Sequence, residues 1–279
     1  MRLLIAGGFG YLGGRFAAHM SRSSTHKVVL GTRQSLSPPN WLPQSEVAKI
    51  CWDSPDALRE ICANVDAIVH MAGMNAQESH ADPVGALEFN GVATARLLQA
   101  AVQQRVKRFI YISSAHVYGN NLSGVITEET CPRSLHPYAT SHRAGEDVVR
   151  AAQQNAEIEG VVVRLSNSFG APVHKDVNTW MLLVNDLCRQ AATSRRLELQ
   201  SSGAQRRDFI PLTDACRAIE HLLEISADRL GAGLFNVTSG RSPTVLEVAG
   251  LVADRFYALT NSRPEIVRPA AKDNELTVQ

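Results

Sequence analysis

The apolar run Arg2–Ala6 ends in a GxxGxxG pattern of Gly7, Gly10 and Gly13, with Gly8 and Gly14 beside it. The segment Tyr11–Met20, which has helical spacing, begins inside that pattern. A strand that turns into a helix on glycines constrains the fold more than any other feature here. The first glycine permits the tight turn, the second lets backbone approach a pyrophosphate, and the third lets the helix pack closely on the sheet. Phosphates then rest on the free N–H groups and positive dipole of a helix N-terminus. Gly7, Gly10, Gly13 and the first-turn residues Tyr11 and Leu12 are therefore expected to bind a dinucleotide. A NAD site usually carries an acid about 20 residues further on. This chain has no Asp or Glu before Glu46, and Gly31, Thr32 and Arg33 end the second strand instead. An arginine there can meet a 2′-phosphate, which favours NADP(H) and leaves NAD(H) open.

Further along, strand and helix patterns alternate. Strands are predicted at 27–30, 47–51, 66–70, 108–113 and 161–165, and helices at 57–62, 84–104 and Pro137–Gln154, the last opened by a proline suited to a first helical turn. Continuous apolar strands separated by helices indicate a parallel sheet covered on both faces, hence an α/β, doubly wound sheet of the Rossmann type. Beyond residue 165 the rhythm loosens into helices at 178–192, 213–225 and 244–257 and extended runs at 208–211, Leu234–Val237 and 265–268. The expected organisation is a dinucleotide-binding domain over 1–165 and a small C-terminal substrate-binding lobe over 166–279, interleaved with the last sheet elements. Residues 35–43, SLSPPNWLP, read as a loop.

Composition narrows the classes. A hydrophobic share of 44% suits a globular core, and a net charge of +1 from 28 basic and 27 acidic residues argues against nucleic acid as a main partner. No stretch reaches the ~18 apolar residues of a membrane span, and the N-terminal apolar run is too short for a signal peptide. Cys51, Cys62, Cys131, Cys188 and Cys216 form no CxxC pair, so free thiols in a reducing cytoplasm are expected, with no metal site.

A second constellation lies in the middle of the chain. DAIVHMAG at 66–73 and RFIYISSAHVYG at 108–119 both end at the carboxyl edge of the sheet, where ligands bind in such folds. Tyr138 and His142 are four residues apart and share a helix face. With WD at 52–53, Asn90, PYATS at 137–141, VRLSNSFGAP at 163–172, RRDFIPLTD at 206–214 and FNVTSG at 235–240, the chain resembles the extended short-chain dehydrogenase/reductases, the NAD(P)-dependent epimerase/dehydratase family of nucleotide-sugar enzymes. The resemblance covers nearly the whole length. It implies that Asp53 contacts the adenine, that Ala72 and Gly73 line the cofactor, and that Asn90 braces the strand ends beside it. It further implies Ser114 as the donor to the substrate oxygen, Tyr138 as the acid/base, and Asn167 and Arg207 as the grip on a sugar-nucleotide diphosphate. A homodimer through the 84–104 and 137–154 helices is likewise implied.

The chain departs from that family in two places. Where the family has YxxxK, this sequence has Tyr138-Ala-Thr-Ser-His142. Lysine lowers the tyrosine pKa by its charge and donates to the nicotinamide ribose; a histidine can donate, but with an ordinary pKa of about 6.5 it carries little charge near neutrality. Three readings stay open: His142 replaces the lysine in catalysis, another cation substitutes, or the protein binds a dinucleotide without turnover. Where the family's 4,6-dehydratases carry an Asp-Glu pair, this chain has Ala115 and His116, which disfavours dehydration and leaves 4-keto reduction or epimerisation, with His116 an extra acid/base or a loop residue. The chain stops at Gln279, soon after 265–268, where family members usually continue, so a reduced substrate lobe or a truncated chain is expected.

Overall fold

A computed structural model describes residues 1–22, 26–119 and 124–270. Strand β1 (Arg2–Ala6) leads into α1 (Tyr11–Met20), β2 (Lys27–Thr32), β3 (Glu46–Lys49), α2 (Pro55–Cys62) and β4 (Ala67–His70). Helices α3 (Ala76–Ala81), α4 (Pro83–Ala86) and α5 (Ala93–Gln103) precede β5 (Arg108–Ser114), α6 (Pro137–Gln154) and β6 (Glu159–Leu165). Then come β7 (Asn167–Phe169), α7 (Leu183–Thr193), β8 (Arg196–Glu198), β9 (Phe209–Pro211), α8 (Leu212–Glu224), β10 (Leu234–Val237), α9 (Val245–Thr260) and β11 (Glu265–Val267).

The main sheet has seven parallel strands in the order β10-β6-β5-β4-β1-β2-β3. This is the doubly wound Rossmann order with β10 added beyond β6, and the strand order reverses between β1 and β4, where the carboxyl ends open a crevice. Alternate residues of each strand point to opposite faces. Leu3, Ile5, Leu30 and Val69 meet Phe16 and Met20 of α1 and Ile219 of α8 on one face, while Leu4, Ile68, Phe109 and Tyr111 meet Leu58, Leu97 and Val149 on the other. Each fully buried large apolar side chain contributes about 1.5–3 kcal/mol.

After β6 the chain divides its elements between two places. Helix α8 packs on the main core and β10 joins the sheet beside β6, whereas Leu187, Leu197, Val245 and Ala249 build a separate cluster that joins α7 and α9 to the β8–β11 pair. The β7–β9 pair links residues 167–169 to 209–211 between them. The last nine residues assigned to the second lobe from sequence, 271–279, lie outside the described residues.

The expected unbroken helix over 84–104 is interrupted. Between α4 and α5, Leu87–Val92 form a π-helical turn, and the Asn90 carbonyl inside it accepts the Thr94 hydroxyl at 2.8 Å and lies 3.3 Å from the Tyr111 hydroxyl. Such wide turns recur at functional sites. The helix expected over 178–192 starts only at Leu183, because the Asn178 carboxamide accepts the Trp180 N–H and holds a local turn. Helix α3 was not foreseen, although Asn75 and Glu78 cap it reciprocally, a signal written in the sequence.

Candidate active site

The opening glycines divide their work by geometry. Gly7 has φ +89°, and a Cβ there would stand 2.8 Å from the Ala72 nitrogen; a Cβ on Gly13 would stand 2.2 Å from the Gly7 carbonyl oxygen. Both positions are closed to larger residues, one by the turn and one by the approach of helix to strand. A Cβ on Gly10 would meet the Gly7 oxygen closely, at 3.2 Å, and no other atom within 4 Å. Gly10 is also the N-cap of α1 without a side-chain cap, and the first turn holds no acid, so the positive end of the helix is not neutralised from within.

This N-terminus faces a cleft of about 230 Å³ in which Gly7, Gly10, Arg33, Ala72 and Gly73 take part together with Trp52 and Phe89. Arg33 lies 5.5 Å from the centre of the Phe89 ring, and Trp52 packs edge-on against the same ring. The other cofactor candidates stand elsewhere. The Tyr11 hydroxyl donates to the Gly170 carbonyl at 2.9 Å and accepts from the Asn185 carboxamide, and burial pushes its pKa up to about 12. Leu12 packs into the main core. Asp53 points to solvent and pairs with Arg96 at 2.5 Å, so Trp52, not Asp53, lines the cleft. Asn90 is buried and braces the site: its carboxamide accepts the Met74 N–H at 2.8 Å and donates to the Ser141 hydroxyl at 3.0 Å, which ties the loop after β4 to α6.

Ser114 ends β5 and Tyr138 opens α6, so the strand edge and the helix N-terminus bring them together. Ser114 is near enough to the Tyr138 hydroxyl to favour its ionised form, and Ser114 accepts the His116 N–H at 3.2 Å. Desolvation raises the Tyr138 pKa above 10, with Ser114 pulling the other way. One turn on, the His142 ring lies 4.5 Å from the Tyr138 ring, centre to centre. It is buried, and burial, helped by His116, lowers its pKa to about 4. His142 is therefore a neutral imidazole near pH 7. Arg143, the adjacent cation, turns away and donates to the Pro132 carbonyl at 3.0 Å.

The candidate substrate residues converge at the outer rim. His116 keeps an exposed edge, lies near Asn167, which favours its protonated form, and stands edge-on to Tyr138 at 6.0 Å between ring centres. Crowding around its ring, then the charge of Arg207, lower its pKa. Asn167 also donates to the Asp208 carbonyl at 2.8 Å. Arg207 is exposed, with its N–H held by the Pro243 carbonyl. The arrangement offers an anion-binding helix end, an adjacent Ser–Tyr pair, and a cation at the mouth.

The sequence profile of the NAD dependent epimerase/dehydratase family matches residues 3–237. The chain belongs to this family. It is 29% identical over 268 residues to dTDP-glucose 4,6-dehydratase of Streptomyces niveus, covering 89% of this chain and 76% of that protein. The structure of MoeE5 in complex with UDP-glucose and NAD superposes with a TM-score of 0.78 at 26% identity, covering 97% of this chain and 86% of the other. RMD from Pseudomonas aeruginosa complexed with NADPH gives a TM-score of 0.78 at 25% identity, covering 98% and 86%.

Beneath the Ser–Tyr pair, this epimerase/dehydratase family member carries a polar network that sequence reasoning missed. The Glu146 carboxylate accepts the Ser113 hydroxyl at 2.6 Å and the Arg164 guanidinium at 2.6 Å, and Arg164 also donates to the Tyr118 hydroxyl at 2.9 Å. Tyr118 in turn donates to Asn236 on β10, which anchors the turn after β5 to the sheet edge. Tyr111 was also missed as more than a core residue; nothing in a strand pattern tells a packed tyrosine from one that meets a histidine on another element.

Proposed function

We propose that this protein is an NAD(P)-dependent enzyme acting on a nucleotide-linked sugar, by 4-keto reduction or epimerisation, through a Ser114–Tyr138–His142 form of the Ser-Tyr-Lys site. The observation that carries the reading is the pairing of Ser114, at the carboxyl end of β5, with Tyr138, whose one-turn neighbour His142 adjoins Gly73 of a glycine-floored cleft. The open face of Gly10 and the uncapped end of α1 suit a pyrophosphate, and Arg33 suits a 2′-phosphate, which favours NADP(H) over NAD(H). A nicotinamide bound there supplies or accepts the hydride.

The chain's own residues handle the proton. Ser114 donates to the substrate oxygen, and Tyr138 gives its proton to that oxygen on reduction or takes one on oxidation. Burial keeps Tyr138 protonated, and neutral His142 lends no charge to ionise it. The site is thus better matched to protonating a reduced ketone than to starting an oxidation. Ala115 and His116 provide no carboxyl pair for eliminating water. Asn167, His116 and Arg207 are the residues we assign to the sugar diphosphate. Exposed Val84, Leu87 and Val92 support a homodimer through the α4–α5 face, and five free thiols suit a reducing cytoplasm.

The test begins with native mass spectrometry of the purified protein and thermal shift against NAD(H), NADP(H) and sugar nucleotides. NADPH consumption with a 4-keto nucleotide sugar, lost in Tyr138→Phe, is the expected result; well-folded protein with no affinity for either coenzyme would end the reading. The uncharged His142 favours one rival, a dinucleotide-binding regulator without turnover. Tight coenzyme binding with no turnover of any keto sugar nucleotide would select it.

A further inference from the structure

His142 meets a partner that the helix pattern around Tyr138 does not announce. Its Nδ1 lies 2.8 Å from the hydroxyl of Tyr111, a fully buried residue on β5. The room for that hydroxyl comes from Gly145, since a Cβ there would stand 2.6 Å from it. On the other side of the ring, Nε2 lies 3.7 Å from where a Cβ on Gly73 would stand, and Gly73 lines the cleft.

The tautomer follows from counting protons. The Tyr111 hydroxyl has one proton and three neighbours that could take it, His142 Nδ1 at 2.8 Å, the Asn90 carbonyl at 3.3 Å and the Thr94 hydroxyl. An O–H···O bond normally spans about 2.5–3.0 Å, so the contact to Asn90 is poor. That carbonyl is also already served by the Thr94 hydroxyl at 2.8 Å. Having donated there, the Thr94 hydroxyl is an acceptor only, taken up by His70 Nε2 at 2.9 Å, and His142 Nδ1 at 2.8 Å is the best-placed acceptor for the Tyr111 proton. The Tyr111 proton therefore goes to His142 Nδ1, and the one proton of the neutral imidazole must sit on Nε2.

We propose that Tyr111 is a positioning residue whose buried hydroxyl holds His142 in the tautomer protonated on Nε2, so that the ring presents a neutral hydrogen-bond donor to the dinucleotide cleft. Of lysine's two duties at this position, donor and charge, this arrangement keeps the first and gives up the second. The inference rests on the cleft being a dinucleotide site, but the tautomer itself exists without a ligand and is measured separately.

The experiment is long-range ¹H–¹⁵N NMR on protein labelled at histidine nitrogen, without coenzyme, on wild type and Tyr111→Phe. Wild type is expected to show His142 with a pyridine-like Nδ1 and a protonated Nε2, and Tyr111→Phe to shift the ring toward the other tautomer or a mixture. A wild-type ring protonated on Nδ1, or charged near neutral pH, overturns the proposal, and that result needs no variant to fold. Calorimetry with NADP(H) follows. Tyr111→Phe should weaken binding by about three- to tenfold, the worth of one hydrogen bond, and should cost nothing in a His142→Lys background, where no tautomer needs fixing. An equal loss in both backgrounds would reduce Tyr111 to a packing residue. Absence of coenzyme binding in wild type, with the Nε2 tautomer intact, would sink the functional reading and leave the tautomer assignment standing.

Discussion

Glu146 and Arg164 form a buried, forked ion pair, with Nη2 2.6 Å from Oε2 and Nε 3.0 Å from Oε1, about two turns of α6 beyond Tyr138. The pair joins α6 to β6, and the Ser113 hydroxyl adds β5 to the same carboxylate. Replacing Glu146 with Leu would strand a buried guanidinium, at a cost of about 3–5 kcal/mol. Urea denaturation of Glu146→Leu measures it. A loss below about 1 kcal/mol would show that the guanidinium finds water or another acceptor.

The glycine pattern predicts two different failures. Gly13→Ala drives a methyl into the Gly7 carbonyl and should lower the thermal midpoint, with an overpacking cost of about 1–3 kcal/mol. Gly10→Ala asks the Gly7 carbonyl to give by only a few tenths of an ångström, so it should cost less stability than Gly13→Ala, yet lose most coenzyme affinity, because the methyl occupies the pyrophosphate's approach. Unfolding and calorimetry on both variants separate the effects; equal losses of stability would show that the space above Gly10 is not a ligand's.

His70 and His142 make stability depend on pH in one direction. Burial lowers their pKa from 6.5 to about 3 and about 4 respectively. Between those values and 6.5 the unfolded chain binds protons that the folded protein refuses, so unfolding becomes easier as pH falls. The stabilisation is whole above about 6.5, declines through the acid range, and ceases to change once both rings are protonated in the fold. Denaturation midpoints should hold from pH 8 to about 6.5 and fall from there to pH 4, and His142→Gln should flatten part of the slope. A profile flat across that range would mean that both rings take up protons in the fold as readily as in the unfolded chain.

His142→Lys should keep or raise turnover. An ammonium there would donate to the cleft as His142 does and would add the charge that Tyr138 lacks, lowering the phenol pKa. The limb of the kcat profile that reports Tyr138 should move to lower pH. Outright loss of coenzyme binding in this variant would mean that the imidazole has a specific role in holding the coenzyme.

Arg33→Ala should discriminate between coenzymes. If Arg33 meets a 2′-phosphate, NADPH affinity falls by about tenfold or more, the worth of a hydrogen bond to a charged group, while NADH affinity is unchanged. Equal effects on both would assign Arg33 to packing against Phe89, which it already approaches.

Sequence alone was enough for the strand–glycine–helix opening, the parallel sheet and its strand residues, and the pairing of Tyr138 with His142 on one helix face. Those features depend on local rules: the φ values glycine can adopt, the period of apolar residues, and the turn of a helix. Tertiary structure decided which side chains reach the cleft. Asp53 and Tyr11 lie near the cleft in sequence, yet their side chains are spent on Arg96 and Gly170, while Trp52 and Phe89 take the lining. It also decided that His142 is neutral and that Tyr111 is its partner, because burial and the meeting of β5 with α6 across 31 positions of chain set both. Contacts between elements depend on how helices settle on the sheet, and no pattern within one segment encodes that.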